Sequence, residues 1–581
     1  MYVATVPNRN SPPAILLRES FRQDGKVLNR TLANLSHWPP PQVDALRAVL
    51  KGATSVGAPL PQAFDIVRSR PHGHVAAVLG TLQRLHLDTI IDKQSGPHRD
   101  LVLAMIVSRV LEPASKLATA RPLHPDTLSS TLSELLHLDA PSEDELYAAM
   151  DWLLPHQERI EKALAKRHLA EGALVLYDLT STYFEGRHCP LGQLGHPRDG
   201  NKGKLQVVFG LMTNAQGCPI AVEVYAGNTA DPKTVADQVT KLRQRFGLQR
   251  VILVGDRGMI TSARIRENLK PAPGIEWITA LRAPAIKKLA SAGVLQLSLF
   301  DDRDLAEITH PDFPSERLIA CYNPLLAEER ARKRPQLLAA TEKELKKIAV
   351  AVSRQKRPLR GKQNIGLRAG KVLNRYKMGK HFVVQIGEES FSYQRKQANI
   401  DKEASLDGIY VIRTNVPAEV ISSEQAVRNY KSLSGVERAF RSLKTVDLHV
   451  RPIHHRLPDR VRAHVFLCML AYHVEWHMRQ DLAPLLFDDE DRAAAQQART
   501  SVVAPAQRSA SAQQKALTKR TADDLPVHSF QTLLSDLATI VANRVQPKDA
   551  TIPPFDLITT PTAVQQRALD LLHVSVKLPN L

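Results

Sequence analysis

Apolar and polar residues alternate over residues 1–42, in runs such as Ala14-Ile15-Leu16-Leu17 and Val27-Leu28 with Asp24-Gly25 between them. A period of two around a glycine-containing turn predicts an N-terminal β-hairpin segment, which Trp38-Pro39-Pro40-Pro41 brings to an end. Over 43–170 the spacing changes. Apolar residues recur at three- and four-residue steps across 74–85, 100–111, 127–138 and 143–169, and Pro113, Pro122 and Pro141 punctuate them, so a helical domain is expected there.

From 171 the texture becomes short strands with two intervening helices. An unbroken apolar run from Ala173 to Tyr177 delivers Asp178 to its end, and Val251-Ile252-Leu253-Val254 runs through Gly255 into Asp256. An ionised carboxylate beside a buried strand must be hydrogen-bonded, paired or metal-bound, because leaving it bare costs several kcal/mol. In open α/β sheets the functional crevice lies outside the carboxyl ends of the strands, where both acids would arrive. Further strands at 205–212, 220–225 and 277–281, with helices over 232–246 and 262–269, give three strands followed by alternating helix and strand. That is the order of a ribonuclease-H-like core, which needs a third acid on a later helix.

The third acid is delayed. Residues 285–420 read as a β-containing insertion, with a charged helix over 328–356 and strands at 382–386, 390–393 and 409–413. Its basic stretch 354–371 is either a phosphate-facing loop or a solvated run of charge. Then, within 429–444, Val436, Phe440 and Leu443 form an apolar stripe, and Glu437 sits beside it among Lys431, Arg438, Arg441 and Lys444. The expected class is therefore α/β, a ribonuclease-H-like catalytic core with a β-containing insertion, preceded by a mainly helical N-terminal domain. The core divides into 171–284 and 421–486, and a helix over 459–479 closes one face of its sheet. The Asp, Ala, Gln and Ser of 487–524 predict a flexible linker, and 525–581 a C-terminal tail with one helix over 530–545.

Charge adds a partner. Lys and Arg number 78 against 59 Asp and Glu, a formal charge of +19, which favours a polyanion such as nucleic acid over a merely solvated basic surface. The four cysteines fall in no metal-ligand spacing and read as free thiols of a reducing compartment. With no apolar stretch of about 18 residues and no basic-then-apolar leader, a soluble cytoplasmic protein with no membrane association is expected.

Asp178 in YDLTS, Asp256 in GDRG and Glu437 together resemble the acidic triad of bacterial insertion-sequence DDE transposases. The resemblance extends to the branch with a β-rich insertion, whose last acidic helix carries Tyr-x2-Arg-x3-Glu-x6-Lys. Here Tyr430, Glu437 and Lys444 stand at those offsets, while Leu433 occupies the Arg position, for which Lys431 or Arg441 are candidate substitutes. The resemblance implies two Mg²⁺ or Mn²⁺ ions held by Asp178, Asp256 and Glu437. It also implies cleavage of the element's ends and joining of a 3′-hydroxyl to target DNA. Tyr430, Lys431, Arg441, Lys444, Lys202 and Lys204 are the expected DNA contacts. The partners implied are double-stranded DNA, both inverted repeats and target, and a second copy in a homodimer at the bacterial nucleoid. The helical region 43–170 would then bind DNA ends or support the core. A structure-specific nuclease of the same fold and a catalytically silent DNA-binding derivative are the alternatives. Trp277 could stack on a flipped base or simply be packed. His449, His454, His455, His464, His473 and His477 match no familiar zinc spacing and read as helix-face or phosphate-contact residues.

Overall fold

A computed structural model describes every residue except 10, 24, 53–62, 187, 199, 201–202, 296–299, 302–303, 498, 500, 549–551 and 579–581. The chain forms two compact units. One comprises Met1–Leu85, Ser115–Glu145 and His528–Leu581, the other His86–Ala114 and Leu146–Val527.

In the first unit β1 (Tyr2–Val6), β2 (Ala14–Gln23) and β3 (Lys26–Asn34) make an antiparallel sheet. The expected hairpin is β2 with β3; Asp24 of its turn lies outside the described residues. The stretch 43–170, expected as one helical domain, is shared between the two units and contains a strand, β4 (Phe64–Pro71).

The second unit is built on β5 (Ala173–Tyr183), β6 (Gln206–Asn214), β7 (Pro219–Ala226), β8 (Val251–Val254), β9 (Ile275–Ala280), β10 (Leu305–Ile308), β11 (Arg317–Tyr322) and β14 (Ile409–Thr414), which form one eight-stranded sheet. Its order is β10-β11-β14-β9-β8-β5-β6-β7, with β5, β8 and β9 parallel and the other neighbours antiparallel. Strands covered on both faces read as continuous apolar runs, and that is why β8 is VILV and fully buried. The helix Pro458–Asp481 packs on β7 and on the helix Pro97–Leu111. It buries residues on most of its circumference, from Val461 to Met478, as a helix enclosed by protein must.

The insertion differs from its expected form. β10, β11 and β14 fall within 285–420 yet extend the main sheet, since Ile412 of β14 pairs with both Ala280 of β9 and Ile319 of β11. The helices Pro324–Ser353, Lys362–Tyr376 and Gln397–Ala404 and the hairpin of β12 (Phe382–Ile386) with β13 (Phe391–Arg395) share a separate core, including Leu338, Leu345, Ile348, Ile365, Phe382 and Ile400.

Two further expectations are corrected. The 487–524 stretch is no flexible linker: it carries the helices Arg492–Gln497 and Ala510–Thr518. Low apolar content suggested disorder, but Ser509 caps the second helix by accepting from Ala512 N, and buried Lys515 donates to the carbonyls of Ala483 at 2.8 Å and Asp488 at 3.1 Å. In the C-terminal tail the expected helix over 530–545 stops at Leu537 and gives way to β15 (Val541–Pro547). With β16 (Phe555–Ile558) it completes a three-stranded sheet on β4, and Arg70 of β4 ties the first unit together by pairing with Glu134 and, at 2.6 Å, with Asp556.

Candidate active site

Asp178 lies in the middle of β5, where the strand outruns β8. Parallel pairing sets Leu176 beside Val254, so the same register carried two residues on sets Asp178 beside Asp256, on strands about 4.8 Å apart. Asp256 follows Gly255 just past the end of β8. Its Oδ1 accepts from the backbone N–H of Gly258 at 3.0 Å and Met259 at 2.8 Å, which folds the loop around the carboxylate. Arg282 pins that loop from outside by donating to the carbonyls of Arg257 and Gly258, both at 3.0 Å.

Glu437 comes from the helix Leu433–Arg441, which buries Leu433, Val436, Ala439 and Phe440 and leaves Glu437 exposed. Phe440 meets Phe209 of β6 edge-on at 5.6 Å. Gly210 is required next to it, because a Cβ there would run into the Tyr177 ring. The C-terminal end of this helix opens into a π-helical turn, Ser442–Val446, anchored by Ser442 Oγ on the buried Glu475 carboxylate at 3.0 Å. Glu475 also accepts from Arg479 Nε at 2.6 Å, and Arg479 reaches Asp447 at 3.0 Å. Burial nevertheless pushes Glu475 up to about 8, ahead of the opposing pull of Arg479.

The three acids act on one another. Asp178 is pushed up to about 7, first by burial, and then by the negative charges of Asp256 and Glu437; Leu179 N–H and Arg198 oppose the rise. Tyr430 feels the same site: its phenol is pushed up to about 12 by burial first, then by Asp256, with Arg257 opposing and Asp178 and Glu437 adding. Asp178 Oδ1 takes only the N–H of its own neighbour Leu179, at 2.8 Å, and among the described residues the Glu437 carboxylate has no hydrogen-bond or ion-pair partner. Three carboxylates brought together in this way are a hard-oxygen donor set, the kind that suits Mg²⁺ or Mn²⁺.

The expected DNA contacts separate into different environments. The Lys444 ammonium donates to Thr180 Oγ1, and Thr180, two residues from Asp178, lies on the same face of β5. Lys444 stands on the π-helical turn, and the helix is interrupted at Ser432, so Tyr430, Glu437 and Lys444 do not share one uninterrupted α-helix. Lys431 is corrected: its ammonium donates to the carbonyls of Val502 at 2.7 Å, Val503 at 2.6 Å and Ala504 at 3.3 Å, and all three of its donors are thus engaged by protein. Burial lowers it to about 8. Arg441 lines a cleft of about 1200 Å³ with Arg438, Arg428 and Glu475, and none of the three acids lines it. Lys204 pairs with Glu185 at 2.9 Å and lies 4.9 Å from the Tyr183 ring centre, whereas Lys202 lies outside the described residues.

Leu433 is buried, so the position at which the signature has Arg faces the core. Arg198 acts on Asp178 and Arg257 on Tyr430. Sequence reading missed both, along with Arg282. Arg257 was legible as the residue after Asp256, but Arg198 comes from a loop whose only signal is its basic character. Trp277 is 2% exposed on β9, beside β14, where Thr414 Oγ1 donates to its carbonyl at 2.6 Å, so it offers no face to a base.

Comparison with known proteins places the chain in a family. Residues 180–474, just over half of the chain, match the family described as "Transposase DDE domain", and residues 3–59 match the "IS1634 family transposase, N-terminal domain". The first match contains Asp256 and Glu437 and begins two residues after Asp178. No curated protein matches significantly. Among solved structures, a cryo-EM structure of the piggyBac transposase synaptic complex with hairpin DNA aligns over 69% of this chain and 72% of its own, at 10% identity and a TM-score of 0.33. A likeness that distant carries no argument.

Proposed function

This chain belongs to the DDE transposases of bacterial insertion sequences, and on that premise we propose that it cuts the ends of its element and joins the freed 3′-hydroxyl to target DNA, with Asp178, Asp256 and Glu437 as its acidic triad. The observation that carries the reading is the meeting of the Asp256 and Glu437 charges on Asp178, where β5 runs past the end of β8. The succession β7-β6-β5-β8-β9, three strands antiparallel and then three parallel counting β5 in both, is read as a ribonuclease-H-like core, with β14, β11 and β10 continuing its edge.

The three carboxylates would hold two Mg²⁺ or Mn²⁺ ions, which when bound activate an attacking hydroxyl and stabilise the leaving oxygen. Asp178, on which the charges of both other acids act, would be the central one of these ligands. The chain's remaining work is positioning. Tyr430, its phenol kept neutral at the edge of the acids, offers a hydroxyl to DNA and not a ligand to a hard cation. Lys444, delivered by Thr180 to the Asp178 face of β5, meets a backbone phosphate beside the scissile one. Lys204, just before β6 and beside Tyr183 at the end of β5, extends that contact. In the first step water attacks the phosphodiester and a 3′-hydroxyl leaves; in the second that hydroxyl attacks a target phosphodiester, and a strand end leaves in turn. The substrate is double-stranded DNA, inverted repeat first and target second. Two element ends must be handled together, so a homodimer at the nucleoid is the working form. The +19 charge supports the polyanionic substrate.

A strand-transfer assay with element-end DNA and a target plasmid tests this. Wild type with Mg²⁺ is expected to release 3′-hydroxyl ends and to join them, while Asp178→Asn binds ends and cuts none. Release without joining would make it a structure-specific nuclease, and binding without release a silent derivative; either outcome overturns the proposal.

A further inference from the structure

Four side chains from three distant parts of the sequence converge on the second unit, outside the carboxylate site. His168 ends the helix Gln157–His168, Cys218 closes the turn into β7, and His473 and His477 stand four residues apart on one face of the helix Pro458–Asp481. One ligand atom from each of the four lies within 4.8 Å of every other. The Cys218 sulfur is 3.8 Å from His477 Nε2. Tetrahedral zinc with bonds of about 2.0–2.1 Å to nitrogen and about 2.3 Å to sulfur sets such atoms roughly 3.6 Å apart. The histidine rings meet edge-on or tilted, 4.8 to 5.4 Å between centres, and are not stacked.

Two independent features support a ligand at the centre of this cluster. His168 Nε2 is buried and has no hydrogen-bond partner, an unfavourable state that a bound ligand relieves. Around the cluster the supporting contacts of a metal-bound ring are in place. The Pro219 carbonyl, 3.0 Å from His473 Nδ1, takes the proton of that nitrogen and leaves the lone pair on Nε2. Asn214 Oδ1 accepts from Cys218 N at 2.9 Å and from Gln216 N at 3.0 Å, holding the turn that presents the sulfur.

We propose that His168, Cys218, His473 and His477 bind one zinc ion. Four protein ligands leave no open position, so the ion is structural: it staples the helices Gln157–His168 and Pro458–Asp481 to the turn between β6 and β7. It is separate from the acids. Asp178 pairs with Leu211, whereas β6 ends at Asn214 opposite Val175, so the Cys218 turn begins about 10 Å back along β5 at roughly 3.3 Å per residue. The sequence hid the site because only the His473-x3-His477 pair is local, and it lies within a longer run of histidines.

The test uses untagged full-length protein purified without chelator and grown with added zinc. Metal analysis should find one zinc per chain, retained in the Asp178→Asn, Asp256→Asn, Glu437→Gln triple variant and reduced at least about tenfold in Cys218→Ser and in His477→Gln. Because those variants could misfold, the wild type is also prepared with Co²⁺ in place of zinc. Visible absorption of tetrahedral cobalt together with a thiolate charge-transfer band supports the site. Zinc-free wild type, zinc lost with the acids instead of with Cys218, or a cobalt form without the thiolate band overturns it.

Discussion

Two carboxylates in the same unit, the fully buried Glu161 and the partly buried Asp178, have opposite surroundings. Glu161 is fully buried, and its two oxygens take four donors: Gln157 Nε2 at 2.8 Å, Val222 N at 3.0 Å, and Lys241 and Arg245 at 3.1 Å each. Lys241 also reaches Glu223 at 3.1 Å, so the cluster is balanced in charge and in hydrogen bonds. Asp178 has one neighbouring N–H and two more acids facing it. Where the fold needs a buried charge to join a helix to a sheet, it surrounds the charge with donors. Where three acids converge on an Asp178 short of donors, a bound cation would supply the missing counter-charge.

The largest expected effects fall on opposite measurements in the two regions. Asp178→Asn should reduce end cleavage by about 10³-fold or more, since a metal ligand supports several kcal/mol of transition-state stabilisation. It should leave the folded protein at least as stable, because it removes a repelled charge. Glu161→Leu should do the reverse, costing roughly 3–5 kcal/mol by leaving Lys241 buried without its main partner. Denaturation midpoints and cleavage rates on the two variants give the comparison. If Asp178→Asn unfolds the protein and Glu161→Leu does not, the assignment of one to function and the other to structure is reversed.

A pH series sharpens the contrast. The Asp178 carboxyl is raised from 3.8 to about 7, so between those values the folded metal-free protein holds a proton that the unfolded chain has lost. Its contribution to stability is therefore present below about pH 4 and is lost as pH rises through about 7. Metal binding needs the anion. Affinity for Mn²⁺ should rise about tenfold per pH unit up to about 7 and level off above it, with a proton released on binding below that pH. Calorimetric titrations at three pH values in buffers of different ionisation enthalpy measure both. An affinity flat from about pH 5 to 8 would mean that Asp178 is already ionised and the acids are farther apart than their mutual effect requires. Asp178→Asn should correspondingly raise the melting temperature of the metal-free protein above pH 7 and give no gain near pH 4.

What could be read from sequence follows from how local each signal is. Asp178 and Asp256 stood out as candidates because an unbroken apolar run ending in an acid is a contiguous pattern, whereas Glu437, an acid in a basic helix, stood out only through its resemblance to the last acid of the transposase triad. The edge of the main sheet was not: Ile409–Thr414 looks like any short strand, and nothing in its residues says that its neighbours are β9 and β11 and not β12. Pairing of Asn543 with Ser69 joins residues hundreds of positions apart and leaves no periodic trace in either strand. The fate of Lys431 was also invisible, because its partners are carbonyl oxygens of 502–504, and every residue type carries one.

The smallest effects separate two lysines on either side of Glu437. Lys431 and Lys444 look equivalent in sequence, each a cation within one basic segment, but one is held by three carbonyls and the other by a hydroxyl on the strand that bears Asp178. Lys431→Met removes donors from three carbonyls that then need other partners, for a loss of about 1–3 kcal/mol in stability and no change in the salt dependence of DNA binding. Lys444→Ala should leave stability and Mn²⁺ affinity nearly unchanged, weaken binding to all DNA sequences alike, and lower the slope of log affinity against log salt by about 1, the signature of one lost phosphate contact. Thr180→Val should give a fraction of that effect, because it frees the ammonium without removing it. Salt titrations of end binding on the three variants read all of this. A reduced slope in Lys431→Met with none in Lys444→Ala would move the DNA path to the side of the helix facing 502–504, away from the acids.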